Sequence, residues 1–158
     1  AVRRMQARGI LPDVSHTSDR SFWDILKLAE GPVVASHSNC RALCDVRRNL
    51  TDEQLRAIRD TGGVIGVNVY HGFVHAEPRM QTAAMLARHA AHIAETIGPE
   101  HVACGFDFCE YFGPGNEGCE GMENCAQTGN FFFELERLGF SAAERQGIAS
   151  ENLLRVLE

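Results

Sequence analysis

Pro32-Val33-Val34-Ala35-Ser36-His37-Ser38-Asn39 is an apolar run that ends abruptly in hydroxyls and an imidazole. Its length and its valines read as a strand buried on both faces. Upstream, Ser18–Glu30 carries Phe22, Ile25, Leu26 and Ala29 at helical spacing, with Ser18 or Asp19 as the N-cap. Downstream, Asn49-Leu50-Thr51-Asp52-Glu53-Gln54 starts a second helix. Thr51 with Gln54 three residues on is the capping-box pattern, and Leu55 and Ile58 follow on one face. Gly62-Gly63 ends that helix, and Val64-Ile65-Gly66-Val67-Asn68-Val69 is again a strand. Strands separated by helices predict an α/β fold with a parallel sheet and right-handed crossovers.

The same alternation extends both ways. Gly9–His16 reads as a strand with a polar end, although Pro12 argues against a regular central strand. Gln81–Ile97 reads as the longest helix, stopped by Gly98-Pro99, and His101–Asp107 as a fourth strand. A Gly-rich loop, Gly113–Gly121, precedes helices over Gln127–Leu138, Ser141–Ala149 and Asn152–Leu157. Four parallel strands are expected near 10–15, 33–36, 64–69 and 102–106, in chain order, with helices outside.

Composition narrows the function classes. The 158 residues are 44% hydrophobic and 23% charged, the balance of a globular domain rather than a disordered chain. No apolar run approaches the roughly 18 residues of a membrane span. A net charge of −6 argues against nucleic acid as a partner. No GxGxxG or GxxxxGK[ST] pattern supports nucleotide binding. Six cysteines without a CxxC pair read as reduced structural thiols, which fits a reducing compartment and makes the cytoplasm the expected location.

Three strand ends are ionisable, His16, His37 and Asp107, and the remaining one is Asn68. In parallel α/β folds the C-terminal strand ends carry the site. Two imidazoles there can converge on one metal, and a carboxylate beside it can move a proton. Each histidine alone reads more readily as a cap or core residue than as a ligand; the repeated Ser-His-Ser/Thr context brings the two readings level for the pair. His71 and His75 read as loop residues, and His89 and His92 as packing or surface residues. Arg47 and Arg48 read as a solvated pair or as a clamp for a substrate carboxylate.

Asp13-Val14-Ser15-His16-Thr17-Ser18-Asp19, Pro32–Asn39 and Arg47-Arg48-Asn49-Leu50-Thr51-Asp52 together resemble the membrane (renal) dipeptidase family of zinc peptidases. Gly63–Asn68, Gly105-Phe106-Asp107-Phe108 and Asn152-Leu153-Leu154-Arg155-Val156 extend the likeness from about Gly9 to the C-terminus. The resemblance implies a metal-dependent (β/α)8 TIM barrel with two zinc ions that hydrolyses dipeptides through a metal-bridging hydroxide. It implies His16 and His37 as ligands of one zinc, Asp107 in proton transfer and Arg48 on the substrate carboxylate. Asn68 would line the site as a second substrate-binding residue. Where the family has Asp-Phe-Asp-Gly, this sequence has Asp107-Phe108-Cys109-Glu110, without the second acid.

The family's His-x-Asp pair and bridging Glu have no counterpart here. The expectation is a single partial domain over 1–158: about four βα units, the C-terminal half of such a barrel, with one partial zinc site. Such a half would be inactive alone and would self-associate through open edges, homodimers included. Other readings of the same residues are a deacylase or lactonase of the amidohydrolase type, or an inactive remnant serving as a binding module.

Overall fold

Four backbone segments run parallel, side by side and in chain order in the computed structural model, which describes residues 1–158. Two are regular strands, β1 (Ile65–Asn68) and β2 (Val102–Phe106). Ile65 faces Val102, Gly66 faces Ala103 and Val67 faces Cys104; the register then slips, and Asn68 faces Phe106. Such an irregularity re-aims the residue that follows it.

The expected strands near 10–15 and 33–36 are shorter than the sequence suggests. They reduce to single parallel bridges, Asp13 to Val34 and Ala35 to Ile65. Pro12 has no N–H to donate, and its carbonyl accepts the Val34 N–H at 3.0 Å. After Ala35 the carbonyl of Ser36 lies against Gly66 and Gly105, so this segment folds over its neighbours instead of extending the ladder. β2 pairs with β1 alone, and no strand lies along its other edge.

The helices follow the sequence signals closely. α1 (Val2–Gln6) precedes the first segment, and α2 (Asp19–Leu28) begins where the Ser18 hydroxyl accepts the Ser21 N–H at 3.1 Å. α3 (Asp52–Asp60) carries both arms of the capping box between Thr51 and Gln54. A short α4 (His71–Val74), absent from the sequence expectation, follows β1. α5 (Ala83–Ile97) ends at Gly98, whose φ of 101° suits glycine, and Pro99 starts the next turn. α6 (Thr128–Arg137), α7 (Ala142–Gln146) and α8 (Asn152–Leu157) complete the chain. Between α7 and α8, Gly147–Glu151 widens into a π-helical turn.

Val33, Ile65 and Val67 pack with Leu55, Ile58, Leu86, Ile93, Phe131 and Leu135 in one fully buried core. At the end where β2 begins, Asn152 Nδ2 donates to the carbonyls of Pro99 (2.8 Å) and Val102 (2.7 Å). Arg155 adds bonds to the carbonyls of Gly62 and Glu100. These contacts tie α8 to the base of the sheet and leave the opposite ends of the segments free for chemistry. None of the six cysteines is in a disulfide, and no helix is long and apolar enough to cross a membrane.

His89 on α5 is a structural histidine. It is fully buried, its Nδ1 accepts the Cys40 N–H at 3.1 Å, and its Nε2 donates to the Val74 carbonyl at 2.8 Å. Burial pulls its pKa down to about 4, against an ordinary value of 6.5. The unfolded chain therefore binds a proton that the folded chain refuses. The stability this contributes is complete above pH about 6.5 and is lost as pH falls towards 4, to a limit of about 3 kcal/mol. Denaturation midpoints measured between pH 7 and pH 4 should decline accordingly, and His89→Gln, which cannot titrate, should decline less.

Candidate metal centre

Because the four segments are parallel, His16, His37, Asn68 and Asp107 all sit at one end of them. One potential ligand atom from each of His16, His37 and Asp107 lies within 4.8 Å of the others. The two imidazole rings are 4.9 Å apart between centres, and His37 Nε2 is 3.7 Å from Asp107 Oδ2.

That last contact crosses β1. Two strand spacings, roughly 9.6 Å at about 4.8 Å each, would ordinarily separate a residue beside β1 from one on β2. Gly66 and Gly105 close the gap: a Cβ on either would overlap the Ser36 carbonyl oxygen. Lacking Cβ atoms, they let the Ser36–His37 backbone fold over the sheet towards Asp107.

His37 is then fixed in position and in tautomer. Its N–H donates to Ser15 Oγ at 3.1 Å, and its Nδ1 lies 2.7 Å from Ser36 Oγ. The Ser36 hydroxyl gives its own proton to Asp13 Oδ2. It therefore accepts from Nδ1–H, and the Nε2 lone pair is left facing Asp107 and His16, the usual arrangement behind a metal-binding histidine. Burial favours the neutral ring and lowers the His37 pKa, with the Asp107 charge partly opposing it. Burial alone would raise the Asp13 carboxyl, but bonds from the Ser36 hydroxyl and from the Ser15 and Ser36 amides hold it below the usual range.

Asp107 is held from below. Asn68 is fully buried, and its Nδ2 donates to Asp107 Oδ2 at 3.1 Å while its Oδ1 accepts the Tyr70 N–H at 2.7 Å. Asn39, also fully buried, grips Asn68 in turn: its Oδ1 accepts the Asn68 N–H and its Nδ2 donates to the Asn68 carbonyl, both at 2.9 Å. The Cys109 thiol lies 3.8 Å from Asp107 Oδ1. Desolvation and the Asp107 charge push that thiol's pKa up and keep it protonated.

Arg48 backs the cluster. Its Nη1 donates to Ser38 Oγ at 3.0 Å, its Nη2 donates to the His37 carbonyl at 2.9 Å, and its guanidinium lies over the Phe73 ring at 5.5 Å. Two of its five N–H groups are thereby used, and the buried Nε has no partner. A polar cleft of about 430 Å³ opens in front, lined by His16, Thr17, Ser18, Asp19, Arg47 and Arg48.

The backbone also marks this place. His16 (φ 64°), Phe106 (φ 43°) and Asp107 (φ 62°) are the non-glycine residues with left-handed backbones, and all belong to the cluster or adjoin it. Each costs roughly 1–2 kcal/mol, so the packing around the site overrules local preference there. The remaining histidines stay apart: His75 Nδ1 accepts the Glu77 N–H, His92 pairs with Asp52, and His101 pairs with the Gly63 carbonyl.

The structure brings together His16, His37, Asp107, Asn68 and Arg48, the residues that the sequence singles out. Sequence reasoning missed Asn39, the Asp13–Ser36 support and the role of Gly66 and Gly105; the repeated Ser-His context was the one visible signal. Two imidazoles and a carboxylate form a donor set suited to zinc, with His37 Nε2 free to bind.

A sequence profile of the membrane dipeptidase family (peptidase family M19) matches residues 1–158. A Klebsiella pneumoniae protein described by its place in the pqqA 5′ region is 44% identical over 110 residues, 68% of this chain and 41% of its own length. Dipeptidase ataJ of Aspergillus terreus is 33% identical over 151 residues, 95% of this chain and 36% of its own. This chain thus spans about two fifths of the length of these relatives. The crystal structure of a Rhodobacter sphaeroides metallo peptidase, liganded with a phosphinate mimic of the dipeptide L-Ala-D-Ala, superposes with a TM-score of 0.87 at 28% identity. The match covers 99% of this chain and 44% of that one.

The glycine gap has a direct test. Gly105→Ala should push Ser36–His37 away from Asp107 and weaken any metal binding at the cluster, measured by calorimetry, by about 10–100-fold.

Proposed function

This chain belongs to the membrane dipeptidase family, peptidase family M19, and from that premise we propose that it carries the zinc-binding and proton-transfer side of a dipeptidase active site. The convergence of His16, His37 and Asp107 within 4.8 Å is the observation that carries the reading. His16 and His37 would hold a zinc ion through ring nitrogens. When bound, such an ion supplies Lewis acidity towards water and towards the scissile carbonyl.

The chain's own residues do the rest. Asp107, steadied by Asn68, accepts a proton from the attacking water and returns one to the leaving amine. Arg48 keeps one uncommitted N–H on each of Nη1 and Nη2 and lines the cleft beside His16, where it takes the substrate's terminal carboxylate. With Arg48 bonded to the His37 carbonyl, the carboxylate clamp stands close to the donor cluster, a spacing that favours short peptides over long ones.

The open edge of β2 and the two-fifths coverage of the relatives support a further part of the proposal. The 158 residues would form four βα units of an eight-unit barrel. Sequence outside them would supply the remaining metal ligands, those of a second zinc included.

Asp107→Asn should lower kcat on dipeptides by about 10²–10⁴-fold while His-bound zinc is retained, checked by steady-state kinetics and metal analysis. Full turnover in that variant would remove Asp107 from the mechanism. Arg48→Lys should raise KM about tenfold or more, because a point charge cannot replace a planar fork of donors; the peptide-concentration dependence of the rate reads it out.

A further inference from the structure

Three arginines gather around the polar cleft, Arg47 and Arg48 in its lining and Arg41 behind Asp19, and two of them are bonded to other groups of the protein. Arg41 holds Asp19, with Nη2 donating to Oδ1 at 3.1 Å and Nη1 to Oδ2 at 3.5 Å. Gln54 Nε2 donates to the same Oδ1 at 3.1 Å, so the single acid of the cleft wall is satisfied from within the protein. Arg48 is bound to Ser38 and to the His37 carbonyl. Arg47 differs. Its carbonyl accepts from Arg41 Nη2 at 3.2 Å, which fixes the bend that presents it, but its guanidinium is exposed and in no ion pair or hydrogen bond. It lines the cleft together with Arg48 and His16.

The rest of the wall points the same way. No apolar residue lines the cleft, so an apolar substrate side chain would gain nothing by entering it. The Thr17 and Ser18 hydroxyls give their protons to the Val14 carbonyl and to Ser21. A carboxylate entering the cleft would therefore find one uncommitted cation beside the one that takes the peptide's own terminus.

We propose that Arg47 reads a second carboxylate, so that the preferred substrates are dipeptides whose C-terminal residue is Asp or Glu. The proposal rests on the dipeptidase reading and adds a substrate class to it. The two carboxylates of one acidic residue lie a few bonds apart, and consecutive arginines can take one each. Arg47 is solvent-exposed, so the effect is modest and falls with ionic strength.

The test compares kcat/KM of the zinc-loaded holoenzyme for Ala-Glu and Ala-Gln, which are nearly isosteric. The expected ratio is about fivefold in favour of Ala-Glu at low salt, shrinking as salt is added. Arg47→Gln should bring the ratio to about one, and Arg47→Glu should invert it. A wild-type ratio of one, or a preference that survives Arg47→Gln, overturns the inference and leaves the dipeptidase reading standing. If neither peptide is hydrolysed by the protein with its full set of metal ligands, the dipeptidase reading falls, and calorimetric binding of free glutamate against glutamine then decides the inference. Equal binding, or a glutamate preference unchanged in Arg47→Gln, overturns it; a preference lost in that variant supports it.

Discussion

The approach of the Ser36 carbonyl to Gly66 and Gly105 is the constraint on which the site depends. A parallel sheet spaces its strand ends evenly, and even spacing alone would keep His37 and Asp107 on different patches of surface. Two missing side chains on neighbouring strands let one segment fold across the other two. His37 arrives beside Asp107 because backbone fills the volume that side chains would otherwise occupy. Everything that tunes the cluster then acts on groups already brought together: the Ser36 and Ser15 bonds to His37, the Asn68 bond to Asp107 and the Arg48 bond to the His37 carbonyl.

Behind the donors stands a layer of buried, satisfied polar groups. Asn39 and Asn68 are both fully buried, yet nearly every polar atom they carry is matched, which is how a core accommodates amides. Asp13 plays the same part for His37 through a serine rather than by direct contact. The result is a set of ring nitrogens and carboxylate oxygens whose directions are set by the fold. A metal ion meeting such a set has less ordering to impose than one meeting mobile side chains.

Local chemistry was legible in the sequence and distance was not. Thr51 with Gln54, Ser18 and Gly98-Pro99 announced their helix boundaries because caps depend on neighbours a few residues away. The strand ends His16, His37 and Asp107 followed from alternation and from the rule that parallel sheets expose one set of ends. The shrinkage of two strands to bridges was hidden, since it depends on where Ser36 lies relative to glycines some 30 and 70 residues away. Asn39 looked like one more polar residue after a strand; its value lies in Asn68, 29 positions on. Cys109 could be read as a departure from a pattern, but only the fold shows its thiol beside Asp107.

The left-handed backbones of His16 and Asp107 have an evolutionary consequence. Glycine adopts those angles without penalty, so at these two positions the residue that suits the backbone best is one without a side chain for chemistry. If these side chains serve the proposed chemistry, stability and activity pull in opposite directions there. A lineage released from catalysis would drift towards glycine at 16 and 107 and gain stability as it lost function. His16 and Asp107 therefore stand where backbone geometry alone would favour glycine.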